Sequence, residues 1–366
     1  MASMGMGDYF IVDPKNLIAI KENVIQGKFF RFTMLTDRLV RLEYSSSGKF
    51  EDRATQNVIF RKFPKVEYTV STSETLMQIT TSYFVINYVI DKNFSSSKLT
   101  PGANLKVVLK ETDKEWYYGH PESRNFGSIN YSLDDYKGKL KLSKGLYSTD
   151  GFAVLDDSSS FVLKNNVDYG ERENKELDIY LFMYKKDLGL CLQDYFTLTG
   201  YPTMIPRYAL GNWWYKNDDY NTSSLLEIVN KFNEEGIPIS VFMLGDKWES
   251  GNNFIIDQSK LNISQISSVL KQNNIKLGLT INPFKTINGK NYVPLRGVNI
   301  SDYMNTLLRG LYVNYVSVFN IDYNNINEKN ELAVVNHYTY IANQIMINQR
   351  GITLCRRSEE HTSELQ

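Results

Sequence analysis

Residues 317–325 read SVFNIDYNN, a run of β-formers that ends on the carboxylate of Asp322 and then on amides. A strand this apolar is buried on both faces, so a charge at its end is a candidate for chemistry rather than packing. Comparable groups close other apolar runs. Asp246 and Trp248 follow ISVFML at 239–244, and Asn282 follows KLGLTI at 276–281. Trp213 and Trp214 close a further short run at 210–214. Carboxylates, amides and indoles on one rim suit a sugar, because rings stack on apolar sugar faces while acids and amides pair with hydroxyls. Cleavage of a glycosidic bond would need one of these carboxylates as nucleophile or ion stabiliser.

Such residues converge only if the elements beneath them are arranged to do it. From residue 206 onward, apolar strands alternate with amphipathic stretches: Leu225, Val229 and Phe232 share one helical face, and so do Ile263, Ile266 and Leu270. Tyr303, Leu307 and Leu308 mark a third helix, and 332–347 a long fourth. Asn221 to Ser224 supply N-cap candidates for the first, and Gly236 with Pro238 stop it. The later strands begin 36 to 39 residues apart, which leaves room for one helix per crossover and predicts parallel β/α units. In such folds chemistry gathers at the carboxyl ends of the strands.

The first half has another rhythm. Residues 29–44 hold two alternating runs joined at Thr36-Asp37, and further runs lie at 66–70, 76–90, 105–109, 151–155, 160–163 and 177–184. Many short strands without a long amphipathic helix between them predict an antiparallel β-sandwich. The 366 residues exceed one ordinary core, so two domains are expected, with the change near residue 200.

Composition narrows the partners. Lys plus Arg equals Asp plus Glu at 41 each, which argues against nucleic acid or an anionic membrane surface. The first residues lack the apolar core of a signal peptide, and no segment reaches the ~18 apolar residues of a membrane span. Cys191 and Cys355 lie too far apart for a disulfide framework or a Cys-based metal site, so a reducing, cytoplasmic setting is the default. The three His, at 120, 337 and 361, are scattered, and neither a metal nor a cofactor is expected. The adjacent Asp156 and Asp157 resemble a catalytic pair but fall at a turn of the sandwich, where a structural role is expected. Self-association as a homo-oligomer stays open.

Residues 206–248, PRYALGNWWYKNDDYNTSSLLEIVNKFNEEGIPISVFMLGDKW, resemble the opening of the catalytic barrel of glycoside hydrolase family 31, the α-glucosidase and α-xylosidase family. RFTMLTDRLVRLEYSSSGKFEDRATQ at 31–56, GLYSTDGFAVLDDS at 145–158 and LCLQDYFTLTG at 190–200 resemble that family's amino-terminal sandwich, in the same order. The resemblance implies a galactose-mutarotase-like β-sandwich over 1–200, followed over 201–356 by the first part of a (β/α)8 TIM barrel, and an oligosaccharide or α-glycoside as substrate. It places Asp322 where the family carries its nucleophile, at the end of the fourth barrel strand. A retaining mechanism follows, in which a second carboxyl about 5 to 5.5 Å away serves as acid and base. The family carries that group after the fifth strand. Asp246, Trp248, Trp213, Asn282 and Arg356 are the expected sugar ligands, although relatives tend to show two acidic residues where GDKW offers Asp246 alone. A carbohydrate-binding protein without catalysis and an α-transglucosylase are the alternatives.

Residues 357–366, RSEEHTSELQ, are polar and aperiodic, and they match the translation of a common sequencing adapter codon for codon. They are expected to be an artefact. On that reading only five of eight barrel strands are present, and the chain as written is expected to be an inactive fragment.

Overall fold

The computed structural model describes residues 12–95, 104–127, 142–164, 168–173, 176–202, 204–251, 254–282, 311, 315–321, 350 and 352–355. Strands β1 (Val24–Gln26), β2 (Phe30–Met34) and β3 (Leu39–Tyr44) form a meander, followed by β4 (Thr69–Thr72), β5 (Leu76–Thr80), β6 (Phe84–Val89), β7 (Leu105–Leu109) and β8 (Glu115–Tyr117). Then come β9 (Phe152–Asp156), the hairpin β10 (Val162–Lys164) and β11 (Asp168–Gly170), β12 (Leu177–Met183) and helix α1 (Leu188–Thr199). These strands build two five-stranded antiparallel sheets, ordered β1-β2-β3-β12-β9 and β4-β5-β6-β7-β8.

The two sheets face each other across one core. Phe32, Met34, Val40, Leu42, Ile179 and Leu181 from the first sheet pack with Ile79, Phe84, Ile86, Leu105 and Val107 from the second. Alternation along β5, β6 and β7 explains the one-sided burial of the second sheet. In β12 nearly every residue is buried, because both faces are covered. Its even-numbered Tyr180, Phe182 and the following Tyr184 turn outward onto Cys191 and Leu198 of α1. The expectation of strands alone up to residue 198 is therefore corrected. Leu188, Cys191, Tyr195 and Leu198 recur at helical spacing, and Gly200 ends the helix with φ +95°. The run expected at 66–70 also moves, since β4 starts only at Thr69 and is exposed throughout.

The second half holds five parallel strands in sequential order, β13 (Trp213–Lys216), β14 (Val241–Leu244), β15 (Lys276–Ile281), β16 (Val316–Ile321) and β17 (Ile352–Cys355). Helix α2 (Thr222–Glu234) joins β13 to β14, and α3 (Ile263–Gln272) joins β14 to β15. Asn221 caps α2 with a full capping box: its side chain accepts from the Ser224 N–H at 2.9 Å, and the Ser224 hydroxyl accepts from the Asn221 N–H at 3.0 Å. Leu225 and Val229 of α2, with Ile266 and Leu270 of α3, cover one face of the sheet, meeting Phe242, Leu244, Leu277 and Leu279. The opposite face carries Trp213, Tyr215, Val241, Met243, Val318 and Ile352. The expected third and fourth helices, around 303–308 and 332–347, lie outside the described residues.

The halves meet at the β10–β11 hairpin. Phe161, just before β10, is buried in the same cluster as Tyr220, Phe242 and Trp248 of the parallel half, with Tyr169 of β11 packed against it. Arg172, directly after the hairpin, reaches back to Asp157 and Asp178.

Candidate active site at the carboxyl edge of the parallel sheet

Register sets the edge. Lys216 pairs with Leu244, Leu244 with Leu279, Ile281 with Ile321 and Ile321 with Cys355, so the strands finish nearly level. Four of the six expected site residues follow these ends in sequence: Asp246 two positions after β14, and Asn282, Asp322 and Arg356 each one position after β15, β16 and β17. Asp322 and Arg356 lie outside the described residues. Asn324, Asn325 and His337 lie outside them too.

Asp246 is exposed at the edge, and its carboxylate makes no hydrogen bond or ion pair among the described residues. Its position is held through the backbone: the Asp246 N–H donates to Asn217 Oδ1 at 3.3 Å. A Cβ on the preceding Gly245 would collide with the Asn217 carboxamide, so the glycine is what lets the ends of β13 and β14 approach. Asn217, Asp218 and Asp219 follow β13 on the same edge. Asp218 accepts from Lys216 Nζ at 2.6 Å and Asp219 from Lys260 Nζ at 3.0 Å. The hydrogen bond from Lys216 lowers the pKa of Asp218 first, and the Asp219 N–H adds to it. Both carboxylates are thereby committed to cations, which leaves Asp246 as the free acid of this rim among the described residues. Asn282 is half-buried just beyond β15 and has an interaction partner.

The two expected sugar platforms lie elsewhere. Trp213 opens β13 instead of closing it, because 207–210 form a 3-10 turn and the strand starts later than the sequence predicts. Its indole donates to Ala209 O at 3.2 Å, at the amino end of the sheet. Trp248 is 2% exposed, so its ring has no free face for a sugar; its indole N–H donates to Thr280 O at 2.8 Å and ties the loop after β14 to β15. Trp214 donates to Tyr220 OH at 3.1 Å and stands edge-on to Phe232.

Sequence reasoning missed Asn217, Thr280 and Asn320. Asn320 Nδ2 donates to Thr280 Oγ1 at 3.3 Å, a polar link between β15 and β16 directly below the edge. The signal was a polar residue at an inward parity position within an otherwise apolar strand. Asp157, by contrast, is completely buried and accepts from Thr55 Oγ1 at 3.1 Å, Asn57 Nδ2 at 3.0 Å and Arg172 Nη2 at 3.1 Å, so its role is structural as expected. Among the described residues no group of His, Cys, Asp and Glu could hold a metal ion.

Five parallel strands in sequential order with helices in the first two crossovers, and an exposed carboxylate with amides at the carboxyl edge, are the architecture of the opening units of a β/α-barrel. Residues 202–339 match the model of the Glycosyl hydrolases family 31 TIM-barrel domain. Over those residues the chain is similar to a glycosyl hydrolase family 31 barrel domain. It is 27% identical over 140 residues to an isomaltosyltransferase of Sporosarcina globispora, which covers 38% of this chain and 12% of that protein. It is 23% identical over 168 residues to an α-xylosidase of Saccharolobus solfataricus, covering 42% and 23%. Among solved structures, a family 31 dextranase of Flavobacterium johnsoniae superposes with a TM-score of 0.59 at 15% identity, over 90% of this chain and 52% of that one. A family 31 α-xylosidase from a soil metagenome gives 0.61 at 14%, over 92% and 64%. At these identities the structures show a shared fold, and the chain spans 52% and 64% of their lengths.

Proposed function

We propose that this chain belongs to a retaining α-glycosidase that cleaves O-glycosyl bonds at the carboxyl edge of the parallel sheet. The observation that carries this is the coincidence of strand ends with acids: β14 and β16 finish within two residues of each other in register, Asp246 and Asp322 follow them, and the family model spans both. Asp322 shares its parity with Val318 and Asn320 and is assigned as the nucleophile that forms the glycosyl-enzyme ester. Asp246 and Asn282 bind sugar hydroxyls, Arg356 joins them from the end of β17, and Trp248 holds the loop that carries Asp246. The general acid belongs beyond the fifth strand by resemblance, within about 5 to 5.5 Å of the nucleophile in a retaining pair. The two facing antiparallel sheets form the amino-terminal β-sandwich over 1–200, and the parallel strands open a (β/α)8 barrel over 201–356. Relatives named α-xylosidase and dextranase support α-linked sugars as the substrate class.

The test is Asp322→Asn in the chain extended to the length of its solved relatives, assayed on aryl α-glucosides and α-xylosides. Turnover falls by about a thousandfold or more while the fold is kept, as for loss of a nucleophile. A variant with a tenth or more of the parent rate would remove Asp322 from the role. Likeness to the isomaltosyltransferase favours a second reading, transfer of the sugar to another sugar. An added acceptor sugar decides it: elongated products in place of free sugar establish transfer.

A further inference from the structure

A cleft lies outside the barrel rim. It sits between the loop after β3 and the segment leading into β12, measures about 220 Å³ and has Phe50 in its wall. That is below the few hundred Å³ of a drug-sized pocket and suits one small molecule rather than a chain. Lys49, Arg53 and Arg172 line it together with Glu51, Glu173 and Glu176, so its formal charges cancel. Three of these are engaged with one another: Arg53 forks onto Glu51 at 2.8 Å through both Nε and Nη2, and reaches Glu173 at 3.4 Å. Arg172 is held by Asp157 and Asp178, yet its buried Nη1 has no hydrogen-bond partner among the described residues. Glu176 is buried, and its carboxyl makes no hydrogen bond or ion pair among the described residues. The buried Arg172 donor is costly if nothing meets it, and the Glu176 carboxyl beside it is open to a ligand.

We propose that this cleft binds a single neutral sugar ring, whose hydroxyls meet Arg172 and Glu176 and whose apolar face lies on Phe50. A hydroxyl both donates and accepts, so adjacent hydroxyls satisfy a guanidinium and a carboxyl together. An anion would meet Arg172 but also face the carboxylates of Glu51 and Glu173, which already hold Arg53. Arg31 sits over the Phe50 ring at 4.9 Å and fixes it as a wall. The network behind the cleft keeps Arg172 in place whether or not a ligand is present.

The experiment is saturation-transfer NMR on the folded chain with methyl α-glucoside and methyl α-xyloside, and separately with inorganic phosphate as competitor. Phe50→Ala and Glu176→Leu each weaken sugar binding by about tenfold or more, the scale set by losing a stacking face or a hydrogen bond to a charged group. Asp246→Ala, at the barrel rim, leaves this binding in place. Circular dichroism confirms that each variant is folded. Binding abolished by Asp246→Ala and untouched by Phe50→Ala would move the sugar to the barrel rim and overturn the second site. Displacement of the sugar by phosphate, or no sugar signal from the folded parent chain, would overturn it as well. None of these outcomes depends on turnover, so failure here leaves the assignment of Asp322 standing.

Discussion

At the residue scale, the acids of this chain divide by what surrounds them. Asp246 stands free on the barrel rim, whereas the buried Glu43 and Asp178 of the first half are locked in a charge network. Arg41 forks onto Asp178 at 2.8 Å through both Nε and Nη2, Arg31 onto Glu43 at 2.7 and 2.8 Å, and Arg172 joins Asp178 at 2.9 Å. Burial alone would raise the pKa of Asp178, but Arg41 and Arg172 together hold it well below the usual carboxylate range. Glu176 lacks such a partner: burial first, and the charge of Glu43 next, push it up to about 7. Its unfolded value is near 4.5, so the folded state binds the proton more tightly. The stability it contributes is present below pH 4.5 and is lost as pH rises through about 7. Glu176→Gln removes that loss. Chemical denaturation of both chains from pH 4 to 8 should show the variant gaining on the parent across this window and then a constant gap. A gap that stays flat from pH 4 to 8 would show that Glu176 titrates normally.

At the element scale, α2 is the clearest case of local sequence dictating structure. Asn221 and Ser224 exchange hydrogen bonds and meet two of the orphan N–H groups of the first turn. Asn221→Ala is expected to cost about 1 kcal/mol, read as a shift in the urea midpoint at unchanged slope. An unchanged midpoint would mean that packing of Leu225 and Val229 alone sets the helix start. Strand boundaries were legible where apolar runs are long and sharply ended, as at β15, β7 and β16. They shifted where the run was short: Leu210 belongs to a 3-10 turn, and β13 begins at Trp213. Helix α1 was hidden because its apolar residues occur in a stretch whose aromatic content also suits a strand, and only the open outer face of β12 selects the helix.

At the scale of the whole molecule, Phe161 and Tyr169 couple the antiparallel half to the parallel half, and Arg172 anchors the hairpin that bears Tyr169. Phe161→Ala opens a cavity in the shared cluster and is expected to cost about 3–5 kcal/mol. Because the lost contacts cross between the halves, thermal unfolding should separate into two transitions, the parallel half melting first. A single transition at the parent temperature would show that the hairpin is not what couples them. The sequence by itself determined the order of β/α units, the cap of α2 and the acids that follow strand ends, because period, run length and turn chemistry are local properties. Asp322 after β16 and Asp246 after β14 could be read from such runs. Only the tertiary structure decided the burial of Trp248, the Asn320–Thr280 link, the charge network and the cleft beside it. Arg41 and Asp178 are separated by 137 residues, and Arg38 and Asp194 by 156. Which charge meets which across such distances is set by strand register and sheet order, and no local pattern encodes either.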